Sequence, residues 1–145
     1  MPFRVAAGFG LIAMLAGLSA MPPAPVRLSL VELIANPQRF DGLVVDTWGY
    51  YLAEGTMGLT AATLSISKQD AENVLGNSIL VVPTSDMKSN REKLDRMYVE
   101  ITGTVSVADG GGGTAIVQVN HVKRCVRWSD PGHPRMLMVA PGKYK

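Results

Sequence analysis

Tyr98-Val99-Glu100-Ile101-Thr102-Gly103-Thr104-Val105-Ser106-Val107 is the stretch that decides the fold. Successive side chains of an extended chain point to opposite faces. Here Val99, Ile101, Gly103, Val105 and Val107 fall on one side, and Tyr98, Glu100, Thr102, Thr104 and Ser106 on the other. That is a half-buried strand rich in β-branched residues. Residues 43–52 follow a similar plan, with Val45, Thr47, Gly49 and Tyr51 on one face and Val44, Asp46, Trp48 and Tyr50 on the other. Both faces of this second strand carry apolar bulk, so both are expected to be at least partly covered. In each strand a glycine stands four residues after an inward valine, Val45 to Gly49 and Val99 to Gly103. Glycine inside a strand marks a bend or bulge, and strands bent at mid-length are what a small, sharply curled barrel requires. The expectation is a mainly β, five-stranded small barrel.

Outward from these two strands, further strands are expected at residues 59–65 and 78–82, with a short helix at 68–75 between them. Residues 83–90 read as a polar loop, with helix at 91–96. Asp109 and the four glycines after it make a hairpin tip before a last strand at 114–128. The apolar phase of that strand slips from Ala115, Val117 and Val119 to Val122, Val126 and Trp128, which predicts a bulge near Asn120 and His121. Upstream, Ser29 and Glu32 have the spacing of a reciprocal helix cap. A short helix carrying Leu30, Val31, Leu33 and Ile34 is expected there, stopped at Asn36-Pro37.

The run from Ser29 to Gly42, with its Asn36-Pro37, Phe40 and Asp41-Gly42, followed by Val45 and Gly49-Tyr50-Tyr51, resembles the opening of small secreted bacterial OB-fold proteins. The likeness continues through Leu64-Ser65 and the Asp70-Ala71-Glu72-Asn73 segment to the second glycine strand, so it covers roughly residues 28–127. It implies an OB-like five-stranded barrel with an N-terminal short helix and one or two more, acting as a binding module. It implies no catalytic residue, because one OB scaffold serves many roles.

Both ends lie outside the likeness. Residues 1–20 place Arg4 before an apolar run that closes on Ser19-Ala20, the layout of a signal peptide. That run, about 14 residues, is shorter than the roughly 20 a membrane-spanning helix needs. Residues 21–28 read as a proline-rich spacer, 29–128 as the OB-like domain and 129–145 as a basic tail. The expected product is periplasmic or secreted, soluble after cleavage near Ala20, with no membrane span once the leader is removed. The net charge of +2 is too small to imply a nucleic-acid partner by itself. Cys125 is the only cysteine, so no intramolecular disulfide forms. It reads as buried and inert, although Lys123, Arg124 and Arg127 would lower its thiol pKa if it were exposed.

Few constellations carry chemistry. His121 and Cys125 are about 13 Å apart along an extended strand at roughly 3.3 Å per residue, too far to share an ion, and no metal or other cofactor is expected. A Cys125–His133 pair has no local support, and Asp46, Glu54 and Glu100 read as solvated strand residues. The glycine run lacks the Lys-Ser/Thr of a phosphate loop. Trp48 and Tyr50, two residues apart, share a strand face and form either a stacking platform for a ligand or packing for a neighbouring helix. Lys123, Arg124 and Arg127 are the accompanying candidate ligand-binding residues. The expected function is an exported, non-catalytic binding module for a protein or small ligand in the cell envelope. The alternatives are an inhibitor or immunity-type protein against a secreted toxin, an oligonucleotide-binding domain, and an enzyme with carboxylate or cysteine chemistry. Nucleic-acid binding requires Lys123, Arg124 and Arg127 to lie beside Trp48 and Tyr50.

Overall fold

Alternating strands bury one face only if their neighbours in space present matching faces, and the chain meets this requirement by pairing its two glycine-containing strands. The computed structural model describes residues 22–53, 61–73 and 76–128. In chain order these form β1 (Val26–Arg27), α1 (Leu30–Ala35), a 3₁₀ turn (Pro37–Phe40), β2 (Val44–Leu52), β3 (Ala62–Ser65), α2 (Lys68–Glu72), β4 (Ser78–Val81), α3 (Ser85–Ser89), α4 (Arg91–Leu94), β5 (Met97–Asp109) and β6 (Ala115–Trp128). The protein is mainly β. Its six-stranded sheet has the order β1-β2-β3-β4-β6-β5, and a further β2–β5 pairing closes β2, β3, β4, β6 and β5 into a ring. All neighbours in the ring are antiparallel except β4 and β6, which run parallel where Leu80 and Val81 meet Gln118 and Val119.

The β2–β5 ladder runs without a break from Val44 opposite Thr104 to Tyr51 opposite Met97. This register puts Val45, Tyr51, Val99, Ile101 and Val105 on the same side as Leu64, Ile79, Val81, Val117 and Val119, and all are buried in one core. α1 closes over it with Leu30 and Leu33. The Ser29 hydroxyl accepts from the Glu32 backbone N–H at 3.2 Å, as the spacing predicts, and the helix ends before Pro37.

Gly49 and Gly103 both face this core, where there is no room for a side chain. A Cβ at Gly49 would lie 2.6 Å from the Ser65 carbonyl oxygen, and one at Gly103 would lie 2.8 Å from the Asn120 carbonyl oxygen. The bulge falls opposite Gly103. Thr102 pairs with Arg124 but Thr104 with Asn120, so β6 carries two residues more than β5 between these positions, and His121 takes a left-handed φ of 47°. Two extra residues leave the odd-even phase of β6 unchanged: Val119 and Cys125 face the core opposite Val105 and Ile101, whereas Val126, opposite Glu100, is buried on the outer face.

Three boundaries depart from the sequence reading. Residues 83–90 are not a plain loop: they contain α3, whose N-cap Thr84 accepts from the Met87 N–H at 3.3 Å. Met87 is the helix's one buried side chain, too little apolar content to show a period. Residues 26–28, assigned to the spacer, enter the fold. Val26 and Arg27 pair in parallel with Val45 and Asp46, and Leu28 is buried. Beyond Pro25 the backbone N–H groups return, and a ladder again becomes available. The third strand begins at Ala62 and α2 ends at Glu72, with 59–60 and 74–75 outside the described residues. The leader 1–20, the tail 129–145, Glu54 and His133 also lie outside them.

Gly49→Ala is expected to lower stability by about 1–3 kcal/mol, because the atom it meets is a backbone oxygen that cannot swing away. Urea unfolding followed by tryptophan fluorescence measures it, and an unchanged midpoint would contradict the close approach.

Candidate functional site

The face of the sheet that turns away from the core collects the residues with chemistry. Register alone decides which. On β2 it carries Asp46, Trp48 and Tyr50; on β5 Thr102, Glu100 and Tyr98 stand opposite them; on β6 Arg124, Val126 and Trp128 complete the rows. β1 adds Arg27, opposite Asp46. Both tryptophans and two of the four tyrosines of the chain are therefore on one surface.

Its rings are engaged with one another. Trp48 and Trp128 lie 5.4 Å apart between centroids with planes inclined by 51°. Tyr50 meets Tyr98 edge-on at 5.3 Å. Such pairs contribute about 0.5–1.5 kcal/mol beyond the area they bury. The Arg27 guanidinium sits over the Trp48 ring, 5.6 Å from its centroid. Tyr50 and Trp128 are buried, whereas Trp48 and Tyr98 keep partial exposure. The indole N–H of Trp128 is buried with no acceptor among the described residues. Trp48 thus packs against Trp128 and Arg27, and Tyr50 against Tyr98, whose hydroxyl accepts from the Lys68 N–H at the start of α2 at 3.3 Å.

Glu100 is the main correction. Expected to be solvated, it is 1% exposed. Arg124 donates to its Oε1 at 2.6 Å, and Arg27 reaches its Oε2 at 3.5 Å. Beside it Thr102 donates its hydroxyl to Asp46 at 3.0 Å. An ionised carboxylate out of water is tolerated only when paired and hydrogen-bonded, and β5 places Glu100 between the two cations that do this.

Of the basic candidates, only Arg124 belongs to this surface, and its guanidinium is committed to Glu100. Arg127 pairs with Val99 and so takes the opposite phase, and Lys123 falls in the bulge; both are exposed. Arg27 was missed because nothing local marks it: its partners Glu100 and Trp48 are distant in sequence. The requirement for oligonucleotide binding, all three basic residues beside Trp48 and Tyr50, is met by one of them.

Cys125 packs against the core from the other phase of β6, and burial pushes its thiol up to about 12, against a smaller lowering by Arg124. Tyr51, buried nearby, is also raised to about 12, first by desolvation and then by Cys125 and Asp95. Among the described residues there is no group of three or more His, Cys, Asp or Glu placed to hold a metal ion, and no helix long and apolar enough to cross a membrane. No protein-family model, curated protein or solved structure matches the chain.

Two outcomes follow from this geometry. Removing Arg124 strands a carboxylate that is 1% exposed, whereas removing Glu100 frees arginines whose side chains are 33% and 53% exposed and can rehydrate. Arg124→Met is therefore expected to cost about 3 kcal/mol and Glu100→Gln clearly less; the reverse order in urea unfolding would refute the pairing. Cys125 and Tyr51 hold their protons more tightly folded than unfolded. The stability this confers is complete below pH 9.0, the thiol's ordinary value, and is lost as pH rises through about 12. Alkaline destabilisation should thus begin near pH 9, Cys125→Ala should move its onset towards the tyrosine value of 10.0, and the native thiol should resist a disulfide reagent at pH 8.

Proposed function

We propose that the chain is an exported, non-catalytic binding module built on an OB-like barrel, and that its partner in the cell envelope is a protein. The likeness of residues 28–127 to small secreted OB-fold proteins and the layout of residues 1–20 support the fold and the export. So does the ring of five strands, since the OB-fold is a five-stranded, partly open barrel. The observation that carries the protein partner is the composition of the outward face. Trp48, Tyr98, Arg27 and Arg124 keep exposure there, backed by the buried rings of Tyr50 and Trp128, and tryptophan, tyrosine and arginine are the residues that dominate binding energy where proteins meet. The face is also preorganised, with its rings in tilted and edge-on contact and its charges paired, which lowers the ordering cost of association. Charge pairing disfavours nucleic acid, because Arg124 is neutralised by Glu100 and cannot also neutralise a phosphate. A secreted toxin, in the manner of an immunity protein, is one such protein partner.

Affinity capture from an envelope extract tests this reading, with the wild-type chain, Trp48→Ser and the surface variant Lys88→Ser as baits. A protein retained by the wild type and by Lys88→Ser, but about tenfold less by Trp48→Ser, is expected. A blank, or equal capture by all three, would overturn it.

A further inference from the structure

We infer that Trp48, Glu100 and the N-terminal half of β2 form a groove for an arginine carried on an extended segment of a partner protein, a groove that Arg27 of β1 fills in cis. This rests on the reading of the outward face as a protein-binding surface and names the chemistry of what binds there.

Glu100 supplies the first argument. One of its carboxylate oxygens is tightly held by Arg124 at 2.6 Å, but among the described residues the other has only the 3.5 Å contact with Arg27. A carboxylate accepts about four hydrogen bonds, and this one is almost fully removed from water. Its second oxygen is thus the least satisfied part of a buried charge, and Arg27 holds it with a side chain that is itself 53% exposed. Trp48 adds a ring face beside that oxygen, already occupied by a cation at 5.6 Å. A planar guanidinium stacks on the indole and still presents N–H groups to the carboxylate, which a compact ammonium does less well.

The backbone supplies the second. β1 is held by two ladder positions, Val26 to Val45 and Arg27 to Asp46, both of its residues are exposed, and the next bond, from the Leu28 N–H to the Asp46 carbonyl oxygen, belongs to a residue anchored in the core. Such a short exposed strand lies at the low end of local stability. When it leaves, Leu28 stays seated, and the edge of β2 at Val45 and Asp46 becomes open to another extended segment. Strand addition to a free edge lets the backbone supply affinity and a side chain supply specificity. The side chain that this edge selects is the one β1 displays, an arginine opposite Asp46, within reach of Glu100 and over Trp48.

The test uses the full chain and a fluorescein-labelled, end-blocked hexapeptide copying residues 24–29, with a second peptide in which glutamine replaces the arginine. Arg27→Ala vacates the groove and, at a position whose side chain is 53% exposed, is expected to stay folded, which thermal unfolding of the variant checks. In fluorescence anisotropy the arginine peptide should bind Arg27→Ala about tenfold more tightly than it binds the wild type. The glutamine peptide should lose that gain, and adding Trp48→Leu to Arg27→Ala should weaken arginine-peptide binding several-fold. Equal affinity for wild type and variant, indifference to the arginine, or no saturable binding to the folded variant would each overturn the inference. Trp48-dependent capture from the envelope extract alongside a peptide that fails to bind would remove the arginine groove and leave the protein-binding reading standing.

Discussion

Closure of the sheet depends on β2 and β5 lying side by side although more than forty residues separate them along the chain. Bringing such distant segments together has an entropic cost that only a long, continuous set of contacts offsets. The ladder from Val44 to Tyr51 provides it. To pair along that whole length and still curl, each strand must be approached closely by neighbouring backbone on its inner side, at Gly49 by Ser65 and at Gly103 by Asn120. Everything else is placed by this closure. β1 and β3 share the remaining edge of β2, the core is sealed inside, and the outer face of β2 is brought against the outer residues of β5 and β6.

A consequence of that last juxtaposition is a buried carboxylate in the middle of an aromatic surface. Glu100 stands directly opposite Trp48 in the ladder. Removed from water, it needs cations, and two other strands supply them: Arg124 from the adjacent β6 and Arg27 from β1, across β2. The pairs then hold the aromatic rings in register, since Arg27 spans from Glu100 to the face of Trp48. Charge pairing and ring packing are therefore one arrangement. They explain why this face combines partial exposure with paired charges and packed rings.

Much of the scaffold was legible because its signals are local. Alternation at residues 98–107 predicts β5, and Ser29 and Glu32 predict the cap of α1; the bulge stands where it was expected, beside Asn120 and His121, but odd-numbered residues face the core on both sides of it, and the even-numbered apolar residues Val126 and Trp128 are buried on the outer face. α3 was not legible, since a single buried methionine shows no period, and β1 was hidden behind the prolines that precede it. The site was legible only by residue type. Trp48, Tyr50 and Arg124 were recognised as candidates and do share a face, whereas Arg127, three residues from Arg124, falls on the other phase of the strand. Glu100 looked like any polar residue on the solvent side of a strand, and Arg27 like part of a linker.

The sequence by itself determined what short-range physics decides: which segments extend, which face of each strand is apolar, where a glycine or a cap must stand, and that a lone cysteine forms no internal disulfide. Tertiary structure alone decided which residues of separate strands meet. The outward side of a strand is solvated or buried according to its cross-strand neighbours, and those neighbours are set by register and closure. Glu100 became a buried, doubly paired carboxylate, and Trp48 a ring held between Trp128 and Arg27, because residues far apart in sequence were brought opposite them.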